Sequence, residues 1–113
     1  MTTQNEGWQF TNTNEIEWKQ AKDKSLFKLI GSVDGLAFSI SDIPAGHRGI
    51  PHHHTHAEFV YVMEGSVRAN GVLMEAGHGY AAQEGTDHFE FVSETGCKFI
   101  SVFKIGQPPL KTD

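Results

Sequence analysis

Turn signals recur along this chain every eight to twelve residues, and the stretches between them are short and rich in β-branched and aromatic residues. Segments 26–30 (LFKLI), 36–43 (LAFSISDI), 58–63 (EFVYVM), 66–69 (SVRA), 72–74, 80–83, 89–93 and 98–104 all read as strands. Asp34-Gly35 and Asn70-Gly71 supply the left-handed residues that a tight hairpin needs. Helical periodicity is nearly absent. Such spacing excludes a parallel sheet layered with helices and points to an all-β barrel or sandwich.

At 113 residues the chain has room for one domain. We expect a lead-in over 1–25 carrying a short strand near Ile16 and Trp18, a barrel over 26–105, and a tail over 106–113, where Pro108-Pro109 ends regular structure. Trp8 or Phe10 of the lead-in is expected to dock on the barrel or on a second subunit. Cys97 is the only cysteine, so no internal disulfide is possible; it reads as a small buried hydrophobe of a reducing compartment. The formal charge of −5 is spread without like-charged runs, which argues against nucleic-acid binding. No apolar stretch is long enough for a membrane span, and the first thirty residues lack a secretory pattern, so the expected location is the cytoplasm.

The segment 46–65, GHRGIPHHHTHAEFVYVMEG, carries the chemistry. In a strand, residues two apart project to one side, so His52 and His54 point together while His53 points away. A turn at Thr55 to Ala57 lets Glu58 return to that side. His88, in GTDHFEF, is the candidate fourth ligand from a later strand. Imidazoles with one carboxylate suit a first-row divalent metal. Two alternatives stay open: His56 shares the parity of His52 and could replace it, and Glu58 could be a free acid or base beside the metal rather than a ligand. His47 and His53 are expected outward or at the rim, and His78 in a turn.

Gly46, His52, His54, Glu58 and Gly65 match the first motif of the cupin superfamily: Gly, five residues, His-x-His, three or four residues, Glu, six residues, Gly. Gly77, Gly85 and His88 match the second motif, although Gln83 stands at its Pro position and its closing Asn is absent. The chain thus resembles small single-domain bacterial cupins from about Leu26 to Phe103. The resemblance implies a double-stranded β-helix, or jelly roll, with one divalent metal near one mouth. The three-histidine, one-glutamate set is similar to that of cupin dioxygenases, for which Fe(II) is favoured, with Zn, Ni or Mn possible. It implies a small metalloenzyme acting on a small polar organic substrate. Isomerising or ketonising chemistry on a sugar acid comes next, and a non-catalytic ligand- or metal-sensing module is the alternative.

Strand parity supplies further expectations. Glu90, two residues beyond His88, either faces the same interior as a second catalytic carboxylate or reaches solvent through a twist or bulge. Val60, Val62, Phe38, Ile40 and Phe99 or Ser101 are expected as pocket walls. Phe59, Tyr61, Phe89 and Phe91 fall on the opposite face, and an outward apolar row of that kind wants a cover, so a homodimer is expected.

Overall fold

The computed structural model describes residues 5–105; the expected tail over 106–113 lies outside them. A 3-10 turn at Thr13–Glu15 precedes eleven strands: β1 (Lys19–Gln20), β2 (Leu26–Val33), β3 (Leu36–Ile43), β4 (His47–Arg48), β5 (His52–His53), β6 (Glu58–Ala69), β7 (Val72–Glu75), β8 (Gly79–Ala82), β9 (Asp87–His88), β10 (Phe91–Ser93) and β11 (Cys97–Lys104). All pairings are antiparallel. The main sheet runs β1-β2-β3-β11-β6-β10-β4, with β7 and β8 also on β6, while β5 and β9 form a separate ribbon. This is the expected all-β jelly roll.

The strand that organises the barrel is β6. Its first half, from Glu58, pairs with β11 and β8, and its second half, from Ser66 to Ala69, pairs with β7 and β10. The two halves serve the two walls of the roll, and the bend between them falls at Gly65. That residue has φ +76°, and a Cβ there would collide with the Gly96 carbonyl. The inward set changes parity across the bend: Val60 and Val62 are buried before it, Val67 and Ala69 after it. Gly65 itself pairs with Cys97, and the residue left without a partner on β11 is Met63; an extra residue of that kind bends a strand and re-aims its side chains. The register with β11 shifts at the same level, beside Lys98 and Phe99.

Between the walls, Ile43, Val62, Val67, Ala69, Met74 and Cys97 form the core, with Tyr80, Phe91 and Phe99 packed against it. Cys97 is buried as expected, and burial together with nearby Asp42 pushes its thiol up to about 11. On β3 the alternation runs opposite to the expectation for two wall residues. Ala37 and Ser39 are buried, whereas Phe38 is exposed and Ile40 shares its outward parity. Ser39 can afford to face inward because its hydroxyl meets that of Ser101 on β11, at 3.1 Å.

The lead-in lies along the outer edge of β2. The Gln9 amide imitates a strand neighbour, donating to the Ser32 carbonyl and accepting from the Ser32 N–H, each at 2.7 Å. An otherwise open sheet edge is thereby covered. Trp8 and Phe10 stack on each other, with centroids 6.0 Å apart, and stay exposed instead of docking on the barrel.

Candidate metal centre

The ribbon of β5 and β9 sets the site. Its register places His52 opposite His88 and His53 opposite Asp87. The ladder continues one step further, because the His54 N–H donates to the Thr86 carbonyl and the His54 carbonyl accepts from Gly85 N–H. Alternation then does what the sequence suggested. His53 turns outward and meets the Asp87 carboxylate at 2.7 Å, while His52, His54 and His88 turn inward with ring centroids 4.8 to 5.6 Å apart. The turn after Thr55 starts β6 with Glu58 on the same side. One ligand atom from each of His52, His54, Glu58 and His88 lies within 4.8 Å of the other three.

Hydrogen bonds fix which nitrogens are available. The His52 Nδ1–H is placed to donate to the Ile50 carbonyl at 3.1 Å, which leaves Nε2 for a metal. The Thr86 hydroxyl gives its proton to the Gln83 carbonyl, so its contact with His54 Nδ1 at 3.3 Å requires that Nδ1 carry the hydrogen. His54 Nε2 is then a lone pair. It stands 3.5 Å from Glu58 Oε1, an acceptor, and finds no hydrogen-bond partner among the described residues. Both ring nitrogens of His88 are likewise buried without a partner there. Buried acceptors aimed at one another without a proton between them fit a cation, and neutral imidazoles with a carboxylate are a ligand set for a divalent transition metal. Burial holds His54 and His88 below the usual imidazole range despite the opposing pull of Glu58, so neither needs to lose a proton near neutrality before binding metal.

Comparison with known proteins agrees with this fold. The ChrR cupin-like domain family matches residues 6–105. The chain belongs to that cupin family. Among solved structures, an RmlC-like cupin from Shewanella frigidimarina is 25% identical, with a TM-score of 0.74 over 84% of this chain and 88% of that one. A putative acetylacetone dioxygenase from Methylibium petroleiphilum is 16% identical, with a TM-score of 0.80 over 98% and 91%. The anti-sigma factor ChrR, solved with Rhodobacter sphaeroides SigE, is 18% identical, with a TM-score of 0.71 over 82% of this chain and 51% of that one. No curated protein matches the chain.

Several residues fall elsewhere than sequence parity placed them. His56 is exposed on the turn, because the strand ends before it and parity no longer applies. Glu90 does not join the four: its carboxylate accepts from Gly71 N–H at 2.6 Å and so caps the 70–71 hairpin. The cause is local. Asn70 Oδ1 accepts from the N–H groups of both Phe89 and Glu90, and two consecutive amides pointing the same way break the alternation after His88. Phe91 is flipped by the same step. It faces inward with its ring 5.0 Å from that of His88, while Phe89 stays outside. His78 is the expected turn residue, its Nδ1 accepting from Glu75 N–H.

Three residues near the cupin site were not singled out in the sequence as part of it. Tyr80 on β8 donates its hydroxyl to Glu58 Oε1 at 2.7 Å. Burial and the Glu58 charge hold that phenol far above its usual range, so it remains a donor. His47 is buried inside rather than at the rim, and Asp23 lies beside it. The β6–β8 register, with Val60 opposite Tyr80, identifies Tyr80 once it is known; nothing in the sequence around His47 and Asp23 pairs them.

Proposed function

We propose that this cupin holds one divalent metal with His52, His54, Glu58 and His88 and is a metalloenzyme of dioxygenase type, working with Fe(II) on a small polar organic substrate. The observation that carries the reading is where the donors lie. His52, Glu58 and His88 form part of the wall of a cavity of about 420 Å³, with Ile43, Val60 and Phe99 among its apolar lining. A volume of that size suits a small molecule, and a purely structural metal would be sealed from such a space. Fe(II) bound there would supply one-electron chemistry toward dioxygen and a substrate chelated through two oxygens. The chain's own contribution is orientation: Tyr80 holds Glu58, the ribbon holds His52 against His88, and Phe91 and Phe99 keep the inner wall dry.

The test is metal analysis of protein purified without oxygen, followed by oxygen uptake after Fe(II) loading with β-diketones, catechols and uronates. Substrate-dependent uptake that disappears in His88→Ala, together with most of the metal, is the expected result. Stoichiometric Zn, Ni or Mn without oxygen uptake, but with turnover of a uronate, would move the chemistry to ketonisation. A second reading, ligand or metal sensing without turnover, draws support from membership of the ChrR cupin-like family and from the structure of ChrR with SigE. It predicts tight ligand binding with no product.

We also propose a homodimer through the outer face of the main sheet. Phe38, Phe59 and Tyr61 are each about half exposed there, at 42%, 52% and 52%. They adjoin one another across β11, where Val102 pairs with both Phe38 and Phe59. Sedimentation should give twice the monomer mass, and Tyr61→Lys should shift it to the monomer.

A further inference from the structure

The cavity has a second polar region besides the metal ligands. Asp23 and Ser25, from the turn before β2, and His47, from β4, line the same space as His52, Glu58 and His88. The turn is built to present the carboxylate. Lys24 takes the left-handed conformation at φ +72°, its N–H reaches the Ala21 carbonyl, and the Ala21 N–H reaches the Ser25 carbonyl. Asp23 Oδ1 is consumed by Ser25, accepting from its N–H at 3.0 Å and its hydroxyl at 2.6 Å. Oδ2 is left facing His47 Nε2 at 3.7 Å, with His47 only 7% exposed. That separation is beyond a hydrogen bond, so the two groups stand close without satisfying each other. Burial acts to raise the Asp23 pKa, but the Ser25 hydrogen bonds and the neighbouring His47 more than offset it and keep the group anionic.

Resting on the reading of an open metal centre, we propose that Asp23 and His47 form a second binding pole, and that it takes a hydroxyl carried by a ligand whose other end chelates the metal. The chemistry selects the hydroxyl. Asp23 Oδ2 can only accept, and a His47 Nε2–H facing a carboxylate is placed to donate. A group that fits between them must donate one hydrogen bond and accept another, which a hydroxyl does and a methyl or carboxylate does not. The same cavity wall also carries the apolar side chains of Ile43, Phe91 and Phe99. The ligand class is therefore a chelating head, a short carbon body and a distal hydroxyl.

The test uses full-length protein loaded with Co(II), whose visible bands report on ligands entering the metal's coordination sphere. Acetohydroxamate serves as the bare chelator. Straight-chain hydroxamates of three to six carbons, each ending in either a hydroxyl or a methyl group, probe the distal pole. At one chain length the hydroxyl compound should bind about tenfold more tightly than its methyl partner, the size expected for a hydrogen bond to a charged group. Asp23→Asn keeps an oxygen for Ser25 while removing the second acceptor, and should abolish that preference without changing Co(II) or acetohydroxamate affinity. His47→Phe, of similar size, should do the same. A wild-type protein with no hydroxyl preference at any length, or a preference that survives in both variants, overturns the second pole. If acetohydroxamate leaves the spectrum of bound Co(II) unchanged, the open metal centre itself is wrong and the pole falls with it.

Discussion

Glu58 reaches the candidate centre with one oxygen already engaged. Its Oε1 takes the Tyr80 hydroxyl at 2.7 Å and is the same oxygen that lies 3.5 Å from His54 Nε2. Outer partners of this kind fix a carboxylate's rotamer and tune how it binds a metal. Tyr80→Phe keeps the ring against the core and removes only the donor. Metal affinity should fall about tenfold or more, the usual effect of losing such a partner, with little change in thermal stability of the metal-free protein. Competition with a chromogenic chelator would measure it; unchanged affinity would reduce Tyr80 to a core residue. At this scale the sequence was readable where alternation holds. His52, His53 and His54 obey it because a paired ribbon carries them. Glu90 and Phe91 escape it because Asn70, nineteen and twenty residues from Phe89 and Glu90, binds both amides and inserts a step that no local pattern announces.

Among the elements, β6 decides whether two walls become one barrel. The sequence suggested two strands, 58–63 and 66–69, with Gly65 between them; the structure joins them as one strand, Glu58–Ala69, bent at that glycine. The break was legible as a glycine, but its meaning depends on Gly96, whose carbonyl occupies the space where a Cβ would sit. Gly65→Ala combines a left-handed backbone with that collision, so it should destabilise the fold by about 3 kcal/mol or more. Urea unfolding should show a lower midpoint at an unchanged slope, since the surface exposed on unfolding stays the same. A near-neutral effect would mean that the two walls can slide apart by the width of a methyl group. Of the two-residue strands, β4 was not predicted, and β5 and β9 were foreseen only through the parity of His52 and His54 and the later strand expected to carry His88. Two residues give no periodicity to read, and their pairing comes from the barrel closing around them.

For the whole molecule, the same imidazoles proposed as metal ligands also make the metal-free fold sensitive to acid. Burial keeps the pKa values of His54 and His88 below the usual histidine value when folded. Unfolded, each titrates at about 6.5. As pH falls through that value the unfolded chain takes up protons that the folded chain refuses, so the equilibrium shifts toward unfolding. The stability tied to these residues is fully present above about pH 6.5 and is lost as pH drops toward their folded values. Asp23 acts in a separate window. Its carboxyl is held below the ordinary aspartate value, so its share is lost only below about pH 4. Urea midpoints of metal-free protein between pH 8 and pH 5 therefore isolate the histidines, and the midpoint should fall over that range. A divalent metal that binds only the folded state adds about 4 kcal/mol when its free concentration is a thousand times its Kd. It also steepens the acid limb, because protons must then displace the metal as well as enter buried rings. His88→Gln should flatten the metal-free profile and remove most of the metal-induced shift together. If the profile flattens while the metal shift stays, burial of His88 is confirmed and its role as a ligand is not; if neither changes, the acid sensitivity belongs to other groups.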